Sequence, residues 1–199
     1  MRPSVDFNPR ISASNRRFTM TFQPSVRAAT LADIPVLHAL VESAYRGDSA
    51  RRGWTHESDL LDGQRTDTEM LAGIIRDESQ RILLAFDGDD MIGCVQIARK
   101  PGRVSYLGML TVDPVRQTAG LGKLLIVAAE DLARVEFGAE TMEMTVIRGR
   151  VELIDYYRRR GYSLTGEERP FPMSDPRFGL PKIDDLSFVV LSKQLCRSA

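Results

Sequence analysis

Residues 104–137 limit what this chain can fold into more than any other part of it. The run from Val104 to Val112 reads as a strand, and Asp113-Pro114 ends it, since proline has no N–H to give to a sheet ladder. A short loop carrying Gly120 and Gly122 then leads into a helix. The apolar positions Leu121, Leu124, Leu125, Ala128, Leu132 and Val135 recur at the spacing of one buried helical face, and Gly138 stands where such a helix would end. A strand, a glycine turn and a helix start in succession make a place for a phosphate. The first turn of a helix has amides without helical partners, and its dipole favours negative charge there. Glycines without a Cβ let backbone come close to a diphosphate, although the same pair can also serve only to shape a tight turn.

Two other glycine-loop chemistries do not fit. A nucleotide P-loop ends in Gly-Lys-Ser/Thr, and here Lys123 is followed by Leu124. A dinucleotide fingerprint needs a third glycine where this chain has Leu125. The balance of 27 basic and 27 acidic residues gives no general attraction to nucleic acid or to a membrane. Two distant cysteines, Cys94 and Cys196, and two isolated histidines, His38 and His56, suggest neither a disulfide framework nor a metal site. No apolar run approaches the roughly 18 residues of a membrane span, and the N-terminus lacks the apolar core of a secretory signal. The expectation is one soluble, cytoplasmic domain without metal, long enough at 199 residues to bury a core.

Along the chain, residues 1–24 read as a flexible leader, residues 25–193 as the domain and residues 194–199 as a tail. Val26 to Ala28 predicts a short strand, and Thr30 or Asp33 can cap a helix that buries Ile34, Leu37, Val41 and Tyr45. Residues 46–65 are polar and glycine-punctuated, and hold the only tryptophan, Trp54. Thr66 with Glu69 reads as a capping box for a helix through Met70, Ile74 and Ile75. Arg81 to Phe86 and Met91 to Arg99, joined by Asp87-Gly88-Asp89-Asp90, predict a β-hairpin. Thr141 to Val146 alternates as a two-faced strand, Val151 to Arg160 fits a helix, and Phe188 to Leu191 a last strand.

The string Gln117-Thr118-Ala119-Gly120-Leu121-Gly122 matches the Gln/Arg-x-x-Gly-x-Gly/Ala signature of the GNAT acyltransferase superfamily. Downstream, Tyr157-Arg158-Arg159-Arg160-Gly161-Tyr162 resembles the ending of that domain's last helix. The resemblance implies an α/β fold with a mixed, mostly antiparallel sheet flanked by helices. In it, the strand carrying Val112 and the next strand splay apart to receive acyl-CoA. It further implies acetyl transfer from acetyl-CoA to a primary amine, here of a small molecule. A protein lysine or N-terminus as acceptor, or a non-catalytic acyl-CoA-binding module, are the alternatives. A homodimer is an arrangement open to such a chain.

By the same resemblance, the amides of Gln117, Thr118, Ala119, Gly120, Leu121, Gly122 and Lys123 would hold the diphosphate. Backbone of Leu110, Thr111 and Val112 would pair with the pantetheine arm as a further strand, with the Val112 amide at the thioester carbonyl. Tyr157 matches the tyrosine that protonates the departing thiolate. Arg150 stands where the family often has a cofactor-contacting asparagine, so that contact is open; an arginine could reach a CoA phosphate instead. Glu143 and Glu57 are candidate bases, with an ordered water as the alternative. Trp54 and Glu57 in the 46–65 loop, beside His56, Asp59 and Asp62, could receive a cationic amine, or Trp54 could simply anchor the loop.

Overall fold

The computed structural model describes residues 24–46, 59–116, 120–173 and 179–195. Strand β1 (Ser25–Ala28) leads into a capping box, in which the Asp33 carboxylate accepts the Thr30 N–H and hydroxyl at 2.8 Å each and the Arg27 guanidinium at 2.6 and 2.8 Å. Helix α1 (Ile34–Tyr45) starts there, with Pro35 in its first turn, and buries Leu37, Leu40, Val41, Ala44 and Tyr45. The two-residue strand β2 (Leu61–Asp62) precedes α2 (Thr68–Arg76).

Helix α2 begins one residue later than the Thr66 capping box predicts. Asp67 is its cap and accepts the Met70 N–H at 2.7 Å. The physical reason lies in α1: Glu42 Oε1 accepts the backbone N–H groups of Arg65 and Thr66, at 2.7 and 2.9 Å. Those two amides are bonded to another element, so the helix starts beyond them.

The hairpin of β3 (Gln80–Asp87) and β4 (Asp90–Lys100) turns through Gly88-Asp89, and β5 (Val104–Val112) continues the antiparallel run. Helix α3 (Leu121–Val135) crosses back to β6 (Thr141–Ile147), which is followed by α4 (Val151–Arg158), β7 (Ser163–Pro170), β8 (Leu180–Pro181) and β9 (Ser187–Gln194). The seven-stranded sheet has the order β1-β3-β4-β5-β6-β9-β7, and only the β5–β6 pairing is parallel. Strands β2 and β8 pair separately. Helices α1 and α2 cover one face of the sheet over Leu84, Cys94 and Met109, whereas α3 and α4 pack on the other over Val95, Leu107 and Met144.

Four elements depart from the sequence-based expectation. Strand β7 has none of the apolar alternation that marks a strand; nearly all of its residues are exposed, and its ladder with β9 alone makes it one. Strands β2 and β8 lie in stretches that read as irregular. Helix α3 is rotated: its buried stripe is Leu121, Leu125, Ile126, Ala129 and Ala133, with Leu124 and Val135 facing outward. The alanines let the helix approach the sheet closely, and close approach selects the face that larger residues alone would not indicate.

Candidate active site

Strands β5 and β6 pair only at Val104–Thr141, Ser105–Met142 and Tyr106–Glu143. Beyond these, residues 107–112 and 144–147 part, as the family resemblance implies. At the apex the Tyr106 and Thr145 hydroxyls meet at 2.6 Å. A bulge in β5 accompanies the parting. Gln96 faces Gly108 while Cys94 faces Thr111, so three steps of β5 oppose two of β4. Met109, in this bulge, has a φ of 47°, a left-handed backbone that a side chain makes costly by about 1–2 kcal/mol. Burial of its side chain against α1 and α2, and two bonds to its carbonyl from Thr111 Oγ1 (3.1 Å) and Cys94 Sγ (3.7 Å), hold it there. The buried Tyr45 hydroxyl donates to the next carbonyl, that of Leu110, at 2.8 Å.

A cavity of 340 Å³ occupies the parting. Tyr45, Arg65, Met70 and Ile74 line it from the α1–α2 side, and Arg150, Leu153 and Tyr157 from α4. Leu110 lies in its wall, and Thr111, which is wholly buried, faces Cys94. Asp113 N–H donates to the Ile92 carbonyl at 2.9 Å, so by the alternation of an antiparallel ladder the Val112 amide points away from β4, towards the side β6 has left.

Of the adjacent tyrosines, Tyr157 is the one on the cavity. It is buried, and its ring stands edge-on to Tyr156 and Tyr162, with centroids 5.4 and 6.0 Å away. Burial, reinforced by the neighbouring phenols of Tyr45, Tyr156 and Tyr106, holds its pKa well above the ordinary phenol value. Tyr157 therefore keeps its proton throughout the neutral range. Tyr156 points instead at the start of α3. A Cβ on Gly122 would come within van der Waals overlap of the Tyr156 hydroxyl, whose ring is stacked under the Arg160 guanidinium, 3.2 Å from the centroid. Gly122 thus makes room for a tyrosine of α4.

Gly120 caps α3 with a φ of 74°, and nothing lies within 4 Å of where its Cβ would be. Among the described residues the loop is open to a ligand from that side, with the Leu121 and Gly122 amides at the helix start and exposed Lys123 beside them. Gln117, Thr118, Ala119, Trp54, His56 and Glu57 lie outside the described residues.

The remaining sequence candidates divide. Arg150 is buried on the cavity as the residue before α4, and its Nε is bonded to Glu152. Glu143 is not brought to the cavity. Its Oε1 accepts Lys100 and Arg169 at 2.8 Å each; burial works against its charge, but the two cations outweigh it and hold the pKa below the usual carboxylate range. A carboxylate held this way is a weak base. Asp59 and Asp62 are exposed and outside the lining, and Asp62 pairs with Lys182 at 2.8 Å. Sequence reasoning missed Arg65, Tyr106, Thr145 and the bulge at Met109, since no short motif joins residues from α1, α2, β5 and β6.

A model of the acetyltransferase (GNAT) family matches residues 40–162. No curated relative matches the sequence. Among solved structures, yncA of Salmonella typhimurium, described as an acetyltransferase and solved with its cofactor acetyl-CoA, is similar with a TM-score of 0.64. It is 17% identical, over 89% of this chain and 96% of its own. The ribosomal-protein-S18-alanine N-acetyltransferase of Escherichia coli also has a TM-score of 0.64, at 14% identity over 89% and 97%. An N-acetyltransferase of Staphylococcus aureus reaches 0.66, at 12% identity over 87% and 98%. Identities this low show the shared fold, and the family match supplies the rest: the chain belongs to the acetyltransferase (GNAT) family and is an acyl-CoA-dependent acyltransferase.

Proposed function

We propose that this chain moves an acetyl group from acetyl-CoA directly to a primary amine of a small molecule. The observation that carries the reading is the parting of β5 and β6 into a cavity with the protonated Tyr157 on its wall, beside a helix that starts at an open glycine. The residues suit acetyl-CoA, whose thioester supplies the activated acyl group. The Gly120, Leu121 and Gly122 amides and Lys123 would take the diphosphate. The edge of β5 at Leu110, Thr111 and Val112 would pair with the pantetheine amides. Gln117, Thr118 and Ala119 complete the loop in this proposal.

The Val112 amide would polarise the acyl carbonyl, and Tyr157 would give its proton to the departing sulfur. Among the described residues, no carboxylate lines the cavity to take the amine's proton. We therefore assign that proton to water, with Glu57 the one remaining carboxylate candidate. Arg150 is assigned to the acyl-CoA side. The enclosure of the cavity by α1, α2 and α4 suits a small acceptor over a folded protein surface. Similar structures include a spermidine N-acetyltransferase of Vibrio cholerae and a phosphinothricin N-acetyltransferase, although the Escherichia coli relative modifies a ribosomal protein. No helix among the described residues is long and apolar enough to cross a membrane, and the use of acetyl-CoA supports a cytoplasmic site of action.

Calorimetric titration with acetyl-CoA, paired with CoA release, tests the reading. Saturable binding is expected in the wild type and its loss in Gly120→Trp, which fills the open side of the loop. Tyr157→Phe should retain binding while kcat falls by about 10²- to 10⁴-fold, the usual worth of a positioned general acid. An unchanged kcat in Tyr157→Phe would remove the tyrosine from the reaction, and absence of acetyl-CoA binding would remove the reading itself.

A further inference from the structure

Gln96, Tyr106 and Thr145 stand on one face of the sheet, the face under α1 and α2, since their neighbours Val95, Leu107 and Met144 pack on the other. All three line the cavity where β5 and β6 part. Together they form a strip of uncharged polar groups.

The orientation of Gln96 is set by a relay that starts at the end of α2. Bonds from Gln80 and Ser79 hold the pKa of Asp77 below the usual carboxylate range, so at neutral pH its carboxylate only accepts. Gln80 Nε2 donates to it at 2.7 Å, which leaves Gln80 Oε1 to accept Gln96 Nε2, also at 2.7 Å. The Gln96 amide therefore turns its oxygen, and not its NH2 group, to the cavity. That oxygen is 3.4 Å from the point where a Cβ on Gly108 would stand, and the edge of the Tyr106 ring is 3.0 Å from the same point. Gly108 keeps the space between them open.

Tyr106 and Thr145 add a second acceptor. Their hydroxyls meet at 2.6 Å, and one proton suffices for that bond. Lone pairs thus remain on both oxygens, and one further O–H is left to turn. Among the described residues, Gln96 Oε1 and the two hydroxyls have no other hydrogen-bond partner. The Tyr106 phenol is also near enough to Tyr157 to act on its proton. The strip and the proposed acid share one neighbourhood.

We propose that this strip holds the acceptor nitrogen and selects primary amines over N-alkylated ones, with Gln96 Oε1 taking one N–H and the Tyr106–Thr145 pair the other. The inference rests on the acetyl-transfer reading above and names the residues that position its nucleophile. A neutral primary amine has two N–H bonds and one lone pair. With both N–H groups on the strip, the lone pair is left for the acyl carbon. Uncharged acceptors do not favour the ammonium form as a carboxylate would, so the nitrogen keeps the neutral state that attack requires. The lone pair forms the bond to carbon, and the carbon–sulfur bond breaks. The sulfur leaves with that electron pair and takes the Tyr157 proton; the proton lost by the nitrogen passes to water, and the phenol regains one from solvent. A secondary amine has a single N–H and leaves one side of the strip facing an alkyl group.

The test is CoA release by the full chain with acetyl-CoA and benzylamine, 2-phenylethylamine, L-leucine and spermidine, each amine that turns over then being compared with its N-methyl form. The primary amine is expected to exceed the N-methyl amine in kcat/KM by about tenfold or more, the cost of leaving a hydrogen-bonding group of the site unmet. Gln96→Met, similar in length but without the oxygen, should bring that ratio close to one, with KM for acetyl-CoA and the melting temperature unchanged. Thr145→Val, which removes one hydroxyl of the pair at nearly constant shape, should lower the ratio in part. N-methyl amines turning over as well as primary ones in the wild type would overturn the proposal. So would a ratio that stays intact in both variants, since bulk alone would then exclude the methyl group. Failure of the underlying reading looks different, as the chain would then bind no acetyl-CoA or release no CoA with any amine, and this proposal would fall with it.

Discussion

Tyr157 and Tyr156 are neighbours in sequence with opposite duties, and the difference comes from what each ring touches. Tyr157 faces the cavity and other phenols; Tyr156 reaches across to Gly122 at the start of α3. The glycine signature thus has a packing role in addition to its proposed work at a phosphate. Gly122→Ala should be destabilising by about 1–3 kcal/mol, as overpacking usually is, and should weaken acetyl-CoA binding by tilting the start of α3. Tyr156→Phe in the same chain removes the oxygen that the new methyl strikes and should recover most of both losses. Thermal melts and acetyl-CoA titration of the two single variants and the double variant check this. Strict additivity would mean that the two residues are not in contact.

At the scale of elements, the corner between β1 and α1 is closed by one carboxylate. Asp33 holds Arg27 and the Thr30 amide and hydroxyl, and the Arg27 guanidinium foremost keeps its pKa well below the usual carboxylate range. A carboxyl with a depressed folded-state pKa stabilises the fold fully above its unfolded value, near about 4. That contribution is lost as pH falls below this value towards the folded one. Since Arg27 is half-exposed, the effect is modest. Melting temperatures followed from pH 6 down to about pH 2 should therefore show Asp33→Asn below the wild type at the upper end and converging on it at the lower. Parallel curves would show that the corner does not depend on this charge.

The same scale shows why some elements were legible in the sequence. Strands β3 and β4 are continuous apolar runs joined by a turn sequence, β5 is a strand stopped by Asp113-Pro114, β6 carries apolar alternation, and α1 carries a stripe with a capping residue before it. Their signals are local and survived into the structure. Strand β7 carries no such signal, because its exposed side chains bury nothing and only the β9 ladder fixes its backbone. The cap of α2 moved to Asp67 because Glu42, some two dozen positions upstream, accepts the Arg65 and Thr66 amides.

For the whole molecule, the order of strands decides what depends on what. Strand β9, last in the chain, lies between β6 and β7, burying Val190 and Leu191. A chain ended after residue 186 would leave β6 with an open edge and β7 with no ladder, besides losing two buried aliphatic side chains worth about 1.5–3 kcal/mol each. Such a chain should show no cooperative melt by circular dichroism, although the matched family region ends at residue 162. A cooperative transition near the wild-type temperature would mean that the sheet is complete without its last strand.

The sequence by itself determined the family, the order of its main elements, the glycine loop and the tyrosine at the end of α4. Each of these is written in residues close together along the chain, where spacing carries the meaning. Only the tertiary structure decided the cavity. The residues around it come from α1, α2, α4, β4, β5, β6 and β9 and from the segments before α2 and after β7. Which of them meet depends on a one-residue bulge at Met109 and on where β5 leaves β6. It also placed Glu143 between two cations and Arg65 over Tyr45, because charge pairing across a sheet is set by distance in space.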